Sequence, residues 1–283
     1  MANLDSKDID AVCGLVDDLC GICWDDSKAY LIESRLEDLV KEQGCENYQD
    51  LVRKVRAELV PGLKEQVIDA VTTNETLWFR DSSPFEAMKN KLLPELIDNK
   101  AGSVFPRRLR IWSAACSTGQ EVYSIAMTLA QTLPDYKDWD IQVLGTDISP
   151  AAVEHAREGV YDHLEIGRGM DQEHLQKHFV KQGDTWKVSD DLRSMCSFHQ
   201  RNLHEQFTCI GPFDIIFCRN VAIYFGDQER ISLFERLAEV LTADGWIIVG
   251  SSESLASMGE RWHPEQHCRA SCYHPNMAAK DFV

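Results

Sequence analysis

Two short stretches of this 283-residue chain have residue types and spacing that could do chemistry. The first is Trp112-Ser113-Ala114-Ala115-Cys116-Ser117-Thr118-Gly119-Gln120-Glu121, where an apolar run ends in small residues and passes straight into an amphipathic helix. In an open α/β sheet, ligands bind at the carboxyl ends of strands, beside the first crossover. Small residues there let a ligand approach the backbone, and Gly119 allows the tight turn. A single glycine is not the three-glycine dinucleotide fingerprint, which argues against NAD or FAD. Glu121, near the positive end of the helix, would repel a phosphate and suit a cation. The second stretch, Gly145-Thr146-Asp147, sets a carboxylate at a strand end, where it can accept hydrogen bonds from ribose hydroxyls. A ribose-binding acid in a site without phosphate features points to S-adenosylmethionine (SAM), a cationic nucleoside without phosphates. The pattern also fits a structural strand end with a solvated aspartate, and spacing alone leaves both open.

The elements that must position these residues fall into two rhythms. Residues 1–71 read as all-helical. Ile9, Val12, Val16 and Leu19 form one apolar stripe; Ser27 is expected to cap a second helix carrying Ile32, Leu36, Leu39 and Val40. Asn47 caps a third with Leu51, Val52, Val55 and Leu59, closed by Pro61-Gly62, and Leu63, Val67, Ile68 and Val71 make a fourth. The segment 72–108 is a polar link, Thr72–Thr76, followed by a helix. Ser83-Pro84-Phe85-Glu86 reads there as a capping box. From 109 to 283, strands alternate with helices (Leu109–Ala115, Ile141–Thr146, Phe213–Cys218 and Trp246–Gly250 as strands), which predicts a parallel sheet flanked by helices. The stretch from about 177 to 201 breaks that rhythm. Phe179-Val180-Lys181, Trp186-Lys187-Val188 and Ser197-Phe198-His199 read as short antiparallel strands of an inserted subdomain.

Composition narrows the function classes. With 29 Lys+Arg against 46 Asp+Glu the net charge is −17, which disfavours general nucleic-acid or anionic-membrane binding. The chain has no apolar run of about 18 residues and no basic-then-apolar start, so neither a membrane insertion nor a signal peptide is expected, and the chain reads as cytoplasmic. Its ten cysteines then read as reduced thiols. Cys20-x-x-Cys23, with Cys13 before it, is explained more simply as one helical face than as a redox pair. His263, His267, Cys268, Cys272 and His274 match no common zinc spacing, so no metal is expected.

Taken together, the motifs resemble one family, the chemotaxis receptor methyltransferases, CheR. The resemblance rests on Thr72-Thr73-Asn74-Glu75-Thr76-Leu77-Trp78-Phe79-Arg80, on 114–121 with Tyr123-Ser124-Ile125-Ala126, and on Gly145-Thr146-Asp147-Ile148-Ser149. Further blocks are Asn202-Leu203, Phe217-Cys218-Arg219-Asn220-Val221 with Ile223-Tyr224-Phe225, and Gly250-Ser251-Ser252-Glu253-Ser254. It implies an all-α N-terminal domain before a Rossmann-like SAM-dependent methyltransferase domain with a small antiparallel β-subdomain. It implies methyl transfer from SAM to glutamates on the cytoplasmic methylation helices of chemoreceptors, with S-adenosylhomocysteine as product. By the same resemblance Asn74, Thr76, Arg80, Glu121, Asp147, Asn202, Leu203, Cys218 and Arg219 contact the cofactor, and Tyr224 and Arg80 serve methyl transfer. Trp78 stands where Phe is usual, and Gln120 where Glu is commoner.

Without the family, Arg80 reads as a surface ion pair, Tyr224 as a core tyrosine, and Asn74 and Thr76 as turn caps. A SAM-dependent methyltransferase of another substrate and a non-catalytic SAM-binding scaffold remain the rival readings. Receptor docking in the family is associated with a basic helix, whereas residues 1–70 here carry 8 Lys/Arg against 16 Asp/Glu. Arg53, Lys54 and Arg56 are the only local basic cluster there. The hairpin 179–188, with Gly183-Asp184 at its tip, is shorter than the two-glycine loop of family members that bind a receptor-tail pentapeptide, so a pentapeptide-independent enzyme is expected, and a monomer.

Overall fold

Asp5 opens the first helix of the computed structural model, which describes residues 4–207 and 209–276: its carboxylate accepts the Asp8 N–H (2.8 Å), and Asp8 returns the bond to the Asp5 N–H (3.3 Å). The helix α1 (Ser6–Cys20) ends at Gly21, whose φ of +67° suits glycine. Because α1 stops there, Cys23 lies off its face and is exposed, while Cys20 is buried. α2 (Ala29–Glu42) follows a short turn that Asp25, not Ser27, caps: Asp25 accepts both the N–H and the hydroxyl of Ser27. Asn47 caps α3 (Tyr48–Arg56) as expected, and α4 (Leu63–Val71) starts after Gly62. The four stripes close on one another around Val12, Leu15, Val16, Ile32, Leu36, Leu51, Leu63 and Val67. Leu59 is a correction: it lies past the end of α3 and is 58% exposed.

The helix after the link is α5 (Ser83–Ala87) and α6 (Leu93–Lys100) joined by a π-helical turn over Met88–Leu92. The capping box expected at Ser83 does not form. Instead the Phe85 and Glu86 N–H groups turn back onto the Ser82 carbonyl.

Alternation then builds the second half: β1 (Arg108–Ala114), α7 (Gln120–Thr132), β2 (Asp140–Asp147), α8 (Pro150–Glu158), β3 (Val160–Tyr161), α9 (His163–Gly167), α10 (Gln172–His178), β4 (Phe179–Gln182), β5 (Thr185–Val188), α11 (Asp190–Arg193), β6 (Cys196–Gln200), β7 (Phe213–Cys218), α12 (Asp227–Glu239), β8 (Leu241–Val249), β9 (Trp262–His267) and β10 (Ala270–Pro275). The main sheet runs β6-β2-β1-β7-β8-β10-β9, parallel through β8 and antiparallel at the last two. Ile111, Ile215 and Phe217 point to the core under α7, and Trp112, Ile216 and Ile247 to the core under α12. Among the described residues no helix is long and apolar enough to cross a membrane.

The small sheet is β3-β5-β4, antiparallel. Ser197-Phe198-His199 is therefore a correction. It belongs to β6, parallel to β2 at the edge of the main sheet, with Phe198 buried against Tyr123. The third strand of the insert is the two-residue β3, too short to show a period.

A Cβ on Gly21 would lie 1.1 Å from His204 Nε2, so a larger residue at the end of α1 displaces the His204 ring and also takes a left-handed backbone. Gly21→Ala is expected to lower unfolding free energy by about 3 kcal/mol or more, combining the left-handed backbone and the clash. Adding His204→Ala should recover the clash part, read by denaturant melts of both variants.

Candidate functional site

The carboxyl ends of β1, β2 and β7 open into a cleft of about 890 Å³ including its mouth. Its sheet side is Ala115–Ser117, Asp147–Ile148, Asn202–Leu203 and Arg219–Val221. The opposite wall comes from the helical half and the link: Cys20, Ile22, Thr72–Thr76 and Arg80, with Tyr224 and Phe225 at the side. Nine of the ten residues singled out from the sequence line it. Cys218 does not. It lies fully buried in the core under α12, and burial pushes its thiol well above the usual range, so it is no nucleophile.

Asp147 is only 6% exposed, and backbone donors hold both its oxygens: Ser149 N–H on Oδ1 (3.0 Å) and Ser117 N–H on Oδ2 (2.7 Å). Burial pushes its carboxyl above the ordinary value, against the lowering by these N–H groups and with Asp69 adding to the rise. A carboxylate has about four lone-pair directions, so two remain for a ligand's hydroxyls. Ser117 sits at φ +50°, and this left-handed turn is what aims its N–H at Asp147.

Glu121 does not face the cleft alone. Its Oε1 accepts the Ser113 hydroxyl (2.8 Å) and its Oε2 meets Arg219 Nη1 (2.7 Å). The Arg219 side chain is 1% exposed, and its Nη2 donates to Asp81 (2.9 Å) and to the Arg80 carbonyl (2.8 Å). Held between two carboxylates, the Arg219 charge is matched inside the wall and is not offered to a ligand phosphate. The partners Ser113 and Asp81 were not singled out from the sequence, although Ser113 lies inside the first motif.

Arg80 is half-buried with Nη1 on the Glu75 carbonyl (3.0 Å). Phe79 and Asp81 on either side take φ of +49° and +59°, and the Phe79 N–H bonds to the Ser124 hydroxyl (3.1 Å). Trp78 is a wider aromatic for a reason: its indole N–H reaches the Glu165 carbonyl (3.0 Å), and its ring packs edge-on against Tyr161 and Phe179. Gln120 is buried and accepts the Thr118 hydroxyl (2.8 Å).

Tyr224 is 37% exposed at the cleft's edge, and its carbonyl accepts the Cys23 N–H (2.9 Å) beside an Ile22–Phe225 bridge. Asn202 lines the cleft, but its amide donates to the Leu19 carbonyl at the end of α1 (2.8 Å) and its Oδ1 accepts the His204 N–H (3.0 Å). Leu203 is buried beside it. Glu253 Oε2 accepts the N–H groups of Gly250 and Asn220 (both 2.7 Å), tying the ends of β7 and β8 together.

The basic cluster is partly paired within its own half: Arg53 and Lys54 share Asp50, Lys54 also donates to the Gln43 carbonyl (2.8 Å), and Arg56 meets Asp18 (2.6 Å). His263 and His274 are cross-strand partners in the β9–β10 hairpin, and His274 stacks on Trp246. Among the described residues no group of three His, Cys, Asp or Glu is placed to hold a metal.

A family model described as the CheR methyltransferase SAM-binding domain matches residues 74–270, and that of the CheR methyltransferase all-alpha domain matches residues 7–72. A chemotaxis protein methyltransferase of Pseudomonas putida is 42% identical over 252 residues, covering 87% of this chain and 90% of that protein. Chemotaxis protein methyltransferase 1 of Pseudomonas aeruginosa is 40% identical over the same length and coverage, and a chemotaxis protein methyltransferase of Vibrio parahaemolyticus is 41% identical over 251 residues, 86% of this chain and 87% of that protein.

Arg219→Met would leave Glu121 and Asp81 facing each other without a cation. It is expected to destabilise the fold by about 3–5 kcal/mol in urea melts, and Glu121→Gln, which keeps an acceptor, by less.

Proposed function

The chain belongs to the CheR methyltransferase family, and on that premise we propose that it transfers a methyl group from SAM to glutamate side chains of chemoreceptors, giving glutamyl methyl esters. The observation that carries this reading is one cleft holding a buried Asp147 and an Arg219 whose charge is already matched by Glu121 and Asp81, with Arg80 and Tyr224 beside them. That donor set fits a cationic nucleoside without phosphates.

Bound in the cleft, SAM supplies a methyl on a sulfonium, already an excellent leaving group. Asp147 accepts from the ribose hydroxyls with the lone pairs that Ser117 and Ser149 leave free. Glu121 and Asp147 face the positive charge, and Arg219 does not oppose it freely because Glu121 and Asp81 match it. The acceptor glutamate, with a reference pKa of about 4.3, is ionised at neutral pH, so no strong general base is required. The task of Arg80 and Tyr224 is to hold that carboxylate in line and keep water out: Arg80 by charge-assisted bonds, Tyr224 by its hydroxyl. Asn202 has its amide on α1, so it contributes by shaping the wall.

The β4–β5 hairpin turns through Gly183-Asp184, with Gly183 at φ +60° and no room for a second loop glycine. This supports recognition through the methylation helices themselves, without a receptor-tail pentapeptide. Titration of that pentapeptide should give no micromolar binding, and a dissociation constant near 1 μM, about −8 kcal/mol, overturns the assignment.

Incubation with methyl-labelled SAM and a chemoreceptor cytoplasmic fragment tests the reaction. Alkali-labile label released as methanol is expected; alkali-stable label points to another substrate atom, and no label to a scaffold. Asp147→Ala should weaken binding of S-adenosylhomocysteine by about 1.5–3 kcal/mol in calorimetry. Arg80→Ala should lower turnover far more than melting temperature, whereas parallel losses would make its role structural.

A further inference from the structure

Two side chains of the helical half, Arg35 on α2 and Asp69 on α4, end on the groups that shape the cleft. Arg35 Nη1 donates to the carbonyls of Val71 (2.5 Å) and Thr72 (3.0 Å), and its Nη2 to the Thr73 hydroxyl (2.9 Å). Val71 is the last residue of α4, and carbonyls at a helix end lack intrahelical partners, so a guanidinium there both satisfies them and complements the helix dipole. The next residues, Asn74–Thr76, are cleft wall, and the Asn74 carbonyl accepts the Ser117 hydroxyl (2.9 Å). Fixing the end of α4 and the first two residues of this extended link therefore fixes where the wall begins and where Ser117 is held.

Asp69 reaches the other side of the same cleft. Its Oδ1 accepts the Ser149 hydroxyl proton (2.6 Å). Ser149 at the same time accepts the Ala152 N–H as the cap of α8 (3.0 Å) and the Asn74 amide (3.4 Å), and gives its own N–H to Asp147 Oδ1 (3.0 Å). One carboxylate on α4 thus orients the serine that orients Asp147.

We infer that Arg35 and Asp69 are positioning residues of the cofactor site, through which the N-terminal helical half sets the affinity of the methyltransferase half for SAM. The inference rests on this cleft being the SAM site. It separates Arg35 from a surface cation that would meet a protein substrate directly: its guanidinium is turned onto the link.

The test uses the full chain and S-adenosylhomocysteine as probe, by calorimetry, with melting curves and steady-state kinetics alongside. Arg35→Ala is expected to weaken binding tenfold or more and to raise KM for SAM while kcat at saturating SAM changes less than threefold. Arg35→Lys should fall between, and Thr73→Val, which removes one of the three bonds, should weaken binding a few-fold with the melting temperature nearly unchanged. Asp69→Ala should weaken binding, and Asp69→Asn, which still accepts the serine proton, should restore it. Affinities within twofold of wild type for Arg35→Ala, Thr73→Val and Asp69→Ala overturn the inference. So does a change confined to KM for the receptor, or a loss of binding that follows lost melting temperature with no recovery in Arg35→Lys and Asp69→Asn. If Arg35→Ala does not fold, Thr73→Val and the Asp69 pair decide. A wild type that binds no S-adenosylhomocysteine overturns the reading of the cleft itself, which a wild type that binds beside unaffected variants does not.

Discussion

The Arg219 guanidinium, taken out of water between Glu121 and Asp81, is the contact on which the cleft depends. It joins the end of β7, the first turn of α7 and the left-handed stretch that presents Arg80. A buried cation is tolerated when its charge is matched, and here two carboxylates and the Arg80 carbonyl hold the two Nη groups, while Nε has no hydrogen-bond partner. The strained backbone at Phe79 and Asp81 persists because this pair and the Ser124 hydroxyl over-determine it. With its charge matched on both sides, Arg219 presents no free cation to a ligand, so the same three side chains serve architecture and selectivity.

A second layer of constraint comes from the helical half. It supplies Cys20 and Ile22 to the wall, receives the Asn202 amide on the Leu19 carbonyl, and bridges to Tyr224 and Phe225 through Cys23 and Ile22. The cleft is therefore walled on one side by strand ends and on the other by helix ends, with the 72–80 link between them. Within this acidic half, Arg53, Lys54 and Arg56 each meet an acceptor of the same half.

Much of this was legible in the sequence, for identifiable reasons. Strands such as Phe213–Cys218 are buried on both faces and read as unbroken apolar runs, and the small-residue turn at 114–119 announces a ligand-bearing strand end. What escaped is what depends on distant partners. Glu121 and Arg219 were each picked as ligand contacts, but their pairing spans 98 positions, and no local pattern encodes it. Asn202 lines the cleft as expected, while the bond from its amide to the Leu19 carbonyl spans the two halves and has no local signature. The direction of β6 escaped because five residues alternate alike whether the neighbour runs parallel or antiparallel. Ser27 gives way to Asp25 as a cap, and at Ser83 the helix starts from the Ser82 carbonyl with no side-chain cap, shifts of one or two residues within the usual blur of helix starts.

The bond from Asn202 to Leu19 spans 183 positions, which sets an order of events during synthesis. The four helices bury one another through local contacts and can collapse while the rest of the chain is still being made. The wall that Cys20 and Ile22 contribute stays unfinished until the segment after β6 has emerged and swung back onto the end of α1. Closing so long a loop costs little more entropy than closing one half its length, since the penalty grows only with the logarithm of length. The wall that Cys20 and Ile22 begin therefore cannot be completed before residue 202 has been synthesised.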